Sequence, residues 1–379
     1  MKYRILLVGG GSGGHIFPLV TVARELVRSS QEKGVELELM ALAESEKWRN
    51  DFIDAGVRFK KIGAPKIRRV EGGRFDPLAF LNIPLTVLQS LWVLFAFMPD
   101  LVLSKGGFVS VIPSLVAKLY FIPLFIHESD AVPGAANIFL AGFANRIFVS
   151  FESSASFFNN RKVILSGNPV RKDLAGPDKN LAAGRFNLKP DRKTVLFLGG
   201  SQGAKPINDL VLASLVELTR EFQVIHQTGD RNFEKVNQEV EKVKTEGQED
   251  YGRYIEENYR IYGFMNEDDL KNAYTLADVI VARAGANLLA EISSIGKPAI
   301  VIPYEYSAGG HQKANAAEFA RFGAVVLEEA NLKPHILMSQ IKHLMEPEVA
   351  AFVSRKISQF VKPDAASIIA EECLSAISI

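Results

Sequence analysis

The segments ILLVGGGSGG (residues 5–14) and VLFLGGSQGA (residues 195–204) decide the fold of this chain. Each segment is an apolar run that predicts a buried strand, followed directly by a glycine-rich turn and a helical pattern. The simplest account of this repeat is two copies of a Rossmann-like half, each opening with its own glycine loop. The pattern therefore predicts two α/β domains.

Short apolar runs alternate with helical patterns along the whole chain. Repeated β–α units form parallel sheets with helices on both faces and right-handed crossovers, so the predicted class is α/β. The predicted strands are 4–9, 35–42, 101–104, 124–128, 146–150 and 162–167 in the first half, and 194–200, 222–229, 260–264, 278–283, 298–303 and 324–329 in the second.

The segment SGNPVRKDL (166–174) is the predicted domain boundary, because Pro169 and the polar stretch 176–180 suit a hinge. The predicted domains are 1–167, joined by a C-terminal helix 364–379, and 168–363.

Composition excludes several classes of protein. The chain has 379 residues, of which 47% are apolar and 23% charged, which is ordinary for a globular protein of two domains. A net charge of +1 argues against nucleic acid as a partner held by bulk charge. Cys373 is the one cysteine, which excludes an intrachain disulfide and a cysteine-based metal site.

Residues 78–98, LAFLNIPLTVLQSLWVLFAFM, contain no charged side chain and are long enough to span a bilayer. Three interpretations stay open: a membrane span, a buried helix of the α/β domain, or a helix partly exposed for membrane contact. Pro84, Asn82 and Gln89 lower the hydrophobicity of the segment and argue against a span. The third interpretation requires an apolar face that does not pack inward.

The first glycine loop contains the pattern G-x-G-x-x-G, which taken alone is a weak indication of dinucleotide binding. Glycines let backbone N–H groups approach an anion at a helix N-terminus. A nicotinamide enzyme needs an acidic residue about 20 positions further on, but Glu44 follows Gly9 by 35 residues. His15 directly after the loop is either a base or oxyanion-binding group, or a capping or packing histidine.

The second half carries three further patterns. The loop Gly199–Ala204 has the same strand–turn–helix context, so a diphosphate between the two loops would meet N–H donors from one or both sides. Glu291, after the strand 278–283, suits a ribose diol, or is a first-turn glutamate favoured by the helix dipole. Gln312 and Asn315 share one helix face and suit sugar hydroxyls, or serve as caps.

Taken together, these motifs resemble the MurG family of glycosyltransferases. The matching segments are GGGSGGHIFP (9–18), HESDAVPG (127–134), SGNPVR (166–171), GGSQGAKPIN (199–208), RAGA (283–286) with Glu291, and HQKANA (311–316). The resemblance implies the GT-B fold, with two Rossmann-like domains whose sheets face each other across a cleft. It also implies inverting transfer of N-acetylglucosamine from UDP to the 4-hydroxyl of the muramoyl sugar of lipid I, a polyprenyl-diphosphate-linked acceptor, to form lipid II.

The resemblance also implies roles for individual residues. His15 matches the candidate catalytic base, and Glu128 would act directly or orient a partner. The implied contacts to UDP-N-acetylglucosamine are Ser12, Gly13 and Gly14 beside the donor sugar, Asp130 near the sugar, Arg171 on the UDP part, Ser201 on a phosphate oxygen, the backbone of Met265 on uracil, Ala286, Asn287, Leu288, Leu289 and Ala290 along the phosphate–sugar site, Glu291 on ribose, and Gln312 on N-acetylglucosamine.

Three departures from the family pattern put donor preference in question. The family usually has Gln-Asn where this chain has Ser129-Asp130, commonly has threonine at Leu288, and often has tyrosine at Phe108. Asp130 accepts hydrogen bonds but does not donate them as asparagine does.

No obligatory cofactor or protein-bound metal is expected, since no Asp-x-Asp signature is present and glycine-loop amides with Arg171 would stabilise the departing diphosphate. The expected partners are UDP-N-acetylglucosamine, lipid I, cell-wall synthesis proteins, and an anionic membrane surface that contacts 78–98 with Arg68, Arg69 and Arg74 nearby. The predicted location is the cytoplasmic face of the bacterial cell membrane, as a peripheral protein.

Four rival functions remain. They are a GT-B glycosyltransferase with another lipid or small-molecule acceptor, a UDP-sugar epimerase, a nicotinamide-dependent oxidoreductase, and a non-catalytic membrane-binding module.

Overall fold

The structure is a computed structural model that describes residues 2–11, 13–63, 78–176, 178–200, 203–246 and 249–377. The chain forms two compact units. Unit 1 comprises Met1–Val170 with Lys362–Ile379, and unit 2 comprises Arg171–Val361.

Unit 1 is a run of alternating strands and helices. Its elements in chain order are β1 (Lys2–Val8), α1 (Gly13–Glu32), β2 (Glu36–Ala43), α2 (Arg49–Ile53), β3 (Arg58–Lys61), α3 (Leu78–Phe97), β4 (Leu101–Ser104), α4 (Phe108–Leu119), β5 (Leu124–Glu128), α5 (Ala135–Ala141), β6 (Arg146–Val149), α6 (Glu152–Ala155) and β7 (Val163–Leu165).

Unit 2 repeats this alternation. Its elements are α7 (Lys179–Phe186), β8 (Thr194–Leu198), α8 (Lys205–Ala213), α9 (Leu215–Glu221), β9 (Gln223–Gln227), α10 (Asp230–Glu246), α11 (Glu249–Asn258), β10 (Tyr259–Tyr262), α12 (Glu267–Leu276), β11 (Val279–Arg283), α13 (Ala286–Ser294), β12 (Ala299–Ile302), α14 (His311–Ala320), β13 (Val325–Val326), α15 (Pro334–Met345) and α16 (Pro347–Ile357). The last helix, α17 (Ala365–Ile377), belongs to unit 1 and packs against α1.

Both sheets are parallel, and the six strands of unit 2 repeat the order of the first six strands of unit 1, which has β7 as an additional edge strand. The order is β3-β2-β1-β4-β5-β6-β7 in unit 1 and β10-β9-β8-β11-β12-β13 in unit 2. In each sheet the direction of the strand order reverses beside the first strand, between β1 and β4 and between β8 and β11. Ligands of doubly wound sheets bind outside the carboxyl ends of the strands at this reversal. Both glycine loops follow the strands that border it.

The predicted fold class is confirmed, and all predicted strands have counterparts in the two sheets. Strand β3 was not predicted. Its sequence is RFKK, and three of its four residues are exposed. An edge strand carrying basic side chains has no apolar run to reveal it, and such charges protect a sheet edge from pairing with other chains.

The core of unit 1 lies on both faces of its sheet, and successive strand residues alternate between the two faces. Leu103 and Phe125 belong to the cluster beneath α1 and α17, whereas Val102 and Ile126 belong to the cluster on the opposite face. This alternation fixes which face the residues after β4 and β5 occupy.

Helix α3 buries polar residues beside the apolar Val93, Leu94 and Phe97. Thr86 and Ser90 are buried and donate to backbone carbonyls one turn earlier, while Leu88, Trp92 and Phe95 are 63–64% exposed. The helix is therefore partly exposed rather than purely buried. Among the residues that the structure describes, no helix has the length and apolar character required to cross a membrane.

Candidate active site

The first glycine loop joins β1 to α1 and is closed by an acidic side chain. Gly11 has a φ of +98°, and its backbone N–H donates to Oε1 of Glu44 over 2.7 Å. A Cβ atom at Gly10 would lie 1.9 Å from Oε2 of Glu44, so this approach requires glycine. Glu44, which sequence spacing left unplaced, thus lies directly against the loop.

His15 lies in the first turn of α1 and is half-buried. Gly107 caps the start of α4 with a φ of +79°, and a Cβ atom there would lie 3.8 Å from Nε2 of His15 and 3.1 Å from the Gly10 carbonyl oxygen. The predicted base is therefore next to two glycine turns. Gly13 and Gly14 are the first residues of α1, and Ser12 lies outside the described residues.

Glu128 ends β5 and is 4% exposed. Its carboxylate accepts hydrogen bonds from Asp130 N at 2.9 Å, Gly134 N at 3.0 Å and Asn137 Nδ2 at 2.9 Å. Burial raises the pKa of Glu128, and the Lys105 ammonium opposes this shift. Two backbone donors of the following loop and the Asn137 amide of α5 occupy this carboxylate, which suits the orienting role better than direct proton transfer.

The structure therefore brings Glu128 and Asp130 together through the turn that follows β5. The half-buried Asp130 contributes its backbone N–H to this turn. Asn137 was missed by sequence reasoning because it lies in the middle of α5, where nothing local distinguishes it from an ordinary helix residue. It is buried against Gly106, whose lack of a side chain makes room for it.

In unit 2, Glu291 lies in the second turn of α13 and is the centre of a charged chain of contacts. Its Oε2 accepts from the Tyr274 hydroxyl at 2.8 Å, and its Oε1 lies 3.6 Å from Nη2 of Arg171. Arg171 also pairs with Glu267 at 3.1 Å. Burial raises the pKa of Glu291, and the Arg171 charge opposes this. Two residues predicted for UDP are thus in contact.

The position of Glu291 argues against the alternative that it is a first-turn glutamate favoured by the helix dipole. Because α13 begins at Ala286, Glu291 lies beyond the first turn, where the effect of the helix dipole has fallen off. Tyr274 was not predicted, since its contact with Glu291 joins two different helices, α12 and α13.

Gln227 links the second glycine loop to the predicted uracil position. This buried side chain accepts from Met265 N at 3.2 Å and donates to the Gly200 carbonyl oxygen at 3.5 Å. The backbone N–H of Met265 is therefore already paired. Ser201 lies outside the described residues. Gln227 was missed because it reads as the last residue of a strand.

The five predicted residues at the start of α13 have different environments. Asn287 and Leu288 are half-buried, whereas Ala286, Leu289 and Ala290 are buried. The Leu289 and Ala290 side chains belong to the core, and Leu289 N already donates to the Gly285 carbonyl oxygen at 3.0 Å, so contact with a ligand is left to the first turn of α13. Helix N-terminal N–H groups, which lack partners within the helix, suit such contact with an anion.

The predicted pairing of Gln312 with Asn315 on one sugar-binding face is wrong for Asn315. Asn315 is fully buried, and its Nδ2 donates to the Ala284 carbonyl oxygen at 3.1 Å, so its amide ties α14 to the end of β11. Gln312 is half-buried, and its Oε1 accepts from Tyr304 N at 2.9 Å. Its amide positions the loop after β12, a role closer to the capping alternative.

In the described ranges, no group of three or more histidine, cysteine, aspartate or glutamate side chains could hold a metal ion.

Two parallel α/β units, each with a glycine loop at the reversal of its strand order, form the architecture of GT-B glycosyltransferases.

Comparison with known proteins shows which family of GT-B glycosyltransferases the chain belongs to. Residues 5–149 match the glycosyltransferase family 28 N-terminal domain, and residues 194–369 match the family 28 C-terminal domain. The chain therefore belongs to glycosyltransferase family 28 and, within it, to the MurG family, whose curated members it matches over nearly its full length.

Two such relatives come from Halothermothrix orenii, 35% identical over 90% of each chain, and Geobacter metallireducens, 34% identical over 98% of each chain. Both are named UDP-N-acetylglucosamine–N-acetylmuramyl-(pentapeptide) pyrophosphoryl-undecaprenol N-acetylglucosamine transferase.

Solved structures share the fold. The crystal structure of Acinetobacter baumannii MurG superposes with a TM-score of 0.71 at 23% identity, covering 99% of this chain and 100% of that one. The UDP-GlcNAc 2-epimerase of Neisseria meningitidis, solved with UDP-GlcNAc, gives 0.68 at 15% identity, covering 98% and 100%. The fold alone therefore does not separate transferase from epimerase.

Proposed function

We propose that this protein transfers N-acetylglucosamine from UDP-N-acetylglucosamine to the 4-hydroxyl of a muramoyl-pentapeptide carried on a polyprenyl diphosphate, with inversion at the anomeric carbon. The observation that carries the proposal is Glu291, held between Arg171 and the Tyr274 hydroxyl next to the β8–β11 reversal. A buried carboxylate fixed in this way can accept both hydroxyls of a ribose. The names of relatives that match nearly the whole chain supply the acceptor.

In the proposed reaction, the acceptor 4-hydroxyl attacks the anomeric carbon as UDP leaves. His15 takes the hydroxyl proton, a form of help typically worth ~10²–10⁴-fold. Glu128 orients the loop after β5 on the acceptor side. The start of α13 and the loop after β8 receive the diphosphate, and Gln227 holds that loop to the segment that meets uracil.

UDP release from UDP-N-acetylglucosamine, measured with and without a lipid I analogue, tests this function. We expect rapid UDP release with the analogue, matched by one glycosylated product per UDP, and slow release without it. Conversion of UDP-N-acetylglucosamine to its 2-epimer without any acceptor would instead assign the chain to the epimerases.

We further propose that unit 1 meets the membrane through the exposed side of α3. Leu85, Leu88, Trp92 and Phe95 recur at helical spacing and are 54–64% exposed. Helix α4, which packs against α3, ends beside Phe121, which is 92% exposed. Apolar surface of this kind suits the acyl boundary of a bilayer that presents a polyprenyl-linked acceptor. The basic residues Arg68, Arg69 and Arg74 lie outside the described residues.

This proposal places the protein peripherally on the cytoplasmic face of the membrane, near other cell-wall synthesis proteins. We expect Trp92→Glu to weaken sedimentation with anionic vesicles and to leave activity on a soluble acceptor unchanged. Ile53→Glu, which alters an exposed apolar residue of α2, is the matched control. Equal vesicle binding by both variants would remove α3 from this role.

A further inference from the structure

Three buried polar side chains of unit 2 form a line of hydrogen bonds beside the second glycine loop. His226 lies in β9, and its ring nitrogens contact the Tyr259 hydroxyl at 2.8 Å and Asn208 Oδ1 at 3.0 Å. Asn208 lies in α8, and its Nδ2 donates to the Thr228 carbonyl oxygen at 3.1 Å. All three side chains are buried. The line therefore connects β10 and β9 to the helix that follows the second glycine loop.

The polarity of this line is fixed by its chemistry. The Thr228 carbonyl oxygen only accepts, so it faces the Asn208 amide nitrogen and leaves Oδ1 to accept from His226. Nε2 of His226 therefore carries the ring proton, and Nδ1 accepts from the Tyr259 hydroxyl. Burial lowers the pKa of His226 to about 3 and raises the pKa of Tyr259, so at neutral pH the imidazole is neutral and the hydroxyl keeps its proton. One arrangement of protons thus satisfies all three side chains.

The line ends against the second glycine loop. Gly203 has a φ of +75°, and a Cβ atom there would lie 2.3 Å from the Thr228 carbonyl oxygen, so this approach requires glycine. Asn232 of α10 donates to the same oxygen at 3.0 Å. The backbone N–H of Asn208 donates to the carbonyl oxygen of Ala204, the residue before α8. The oxygen that receives the Asn208 amide thus borders the turn that leads into α8.

His226 and Gln227 support the loop from the two faces of the sheet. Successive side chains of a strand alternate between faces, so the Gln227 amide that donates to Gly200 lies on one face and the His226 ring on the other. The parallel register pairs His226 with Phe197, in the strand that runs into the loop. The beginning of the loop and the helix that follows it are therefore held from opposite faces.

We propose that His226 is a positioning residue for the donor: through Asn208 it holds the first turn of α8 and the second glycine loop in the arrangement that receives the diphosphate. This inference rests on the proposed function, in which that loop meets the diphosphate of UDP-N-acetylglucosamine. Backbone N–H groups bind an anion best when their directions are fixed before it arrives. The line fixes them because Asn208 cannot turn its amide without losing both of its partners.

His226→Phe tests the proposal, because it keeps a ring in the same place and removes both hydrogen-bonding nitrogens. UDP and uridine are compared as competitive inhibitors, since uridine has the base and ribose of UDP but no diphosphate. A hydrogen bond to a charged ligand contributes roughly 10–100-fold in affinity, and partial loss of one predicts UDP binding weaker by roughly 3–10-fold. Uridine should bind within about twofold of its affinity for the wild type, because it does not use the loop.

Two further variants serve as rescue and control. His226→Gln should keep both inhibition constants, because its amide can donate to Asn208 and accept from Tyr259. Asn258→Leu is the matched control, since it removes another buried amide of unit 2, which ties α11 to α9 by donating to the Thr219 carbonyl oxygen at 3.1 Å. It should leave the preference for UDP over uridine unchanged.

Equal weakening of UDP and uridine by His226→Phe would mean that the line only stabilises unit 2 and would overturn the inference, as would unchanged binding of both. If His226→Phe does not fold, Asn208→Ala, which removes the other half of the same contact, carries the comparison with the same expectation. Failure of the wild-type protein to prefer UDP over uridine would instead refute the proposed function, whatever the variants do.

Discussion

The two glycine loops have nearly the same sequence and the same position in their sheets, but the side chains next to them make opposite kinds of hydrogen bond to the loop backbone. In unit 1 the loop gives a backbone N–H to a carboxylate, from Gly11 to Glu44. In unit 2 the contact engages a carbonyl, because the Gln227 amide donates to Gly200. A carboxylate against the first loop repels an anion and occupies one of the loop's N–H donors. In the second loop the Gln227 contact uses a carbonyl oxygen, so it takes no N–H donor from an anionic ligand.

The groups at the two strand-order reversals differ in the same sense. In unit 2, Arg171 pairs with both Glu291 and Glu267, so each of these charges has a partner of opposite sign before a ligand arrives. Unit 1 buries Lys105 and His127 with polar atoms that lack hydrogen bonds among the described residues. We therefore propose that the two units share a backbone architecture but have different roles, with the reaction at an uncharged sugar in unit 1 and nucleotide binding in unit 2.

His15→Ala should give the largest effect, because it removes the proposed base from the first loop. We expect kcat to fall ~10²–10⁴-fold while KM for UDP-N-acetylglucosamine changes little. Steady-state kinetics with a soluble acceptor measure both. His335→Ala, which alters an exposed histidine of α15, should behave like the wild type. Near-normal turnover of His15→Ala would remove this residue from the base role.

Glu291→Gln should give the reverse pattern. The amide keeps the size of the side chain, but it has one acceptor oxygen for the ribose hydroxyls instead of two, and it carries no charge. Loss of hydrogen bonds to a charged group, ~1.5–3 kcal/mol, predicts a rise of roughly 10–100-fold in KM for the donor with kcat nearly unchanged. The preference for UDP over 2′-deoxy-UDP as an inhibitor should also vanish. A variant that keeps this preference would place the ribose elsewhere.

The sequence reveals the strands and glycine loops because apolar runs and glycines are local signals. The position of Glu44 was not predicted because α1 is 20 residues long. This length places the end of β2 further from the glycine loop than the spacing of about 20 residues that was expected. Gln227, Tyr274 and Asn137 act through contacts between different elements, which no local pattern encodes. The prediction for Asn315 failed because helical spacing shows that it shares a face with Gln312 but does not show that its own side chain is buried.

Tyr274→Phe should give a smaller effect of the same kind as Glu291→Gln. It removes one hydroxyl that holds the carboxylate at 2.8 Å and leaves the ring in the core. Because Tyr274 acts on the ribose only by holding the Glu291 carboxylate, we expect less than the ~1.5–3 kcal/mol of a direct hydrogen bond to a charged group, and KM for the donor should rise roughly 2–10-fold. In the double variant with Glu291→Gln the two effects should not multiply. Full multiplication would mean that Tyr274 acts independently of Glu291.

Glu44→Gln should change least, and it is the direct test of the contrast between the loops. The amide oxygen can still accept from Gly11 N, so the loop keeps its shape and loses a negative charge. Since a charged acceptor gives way to a neutral one, urea denaturation should show a loss of about 1 kcal/mol in the free energy of unfolding. If the donor diphosphate binds at the second loop, KM for UDP-N-acetylglucosamine should stay within twofold of the Glu46→Gln control. Removal of the repelling charge would tighten the donor about tenfold if its diphosphate instead lay against the first loop, and the division of roles between the two units would then fail.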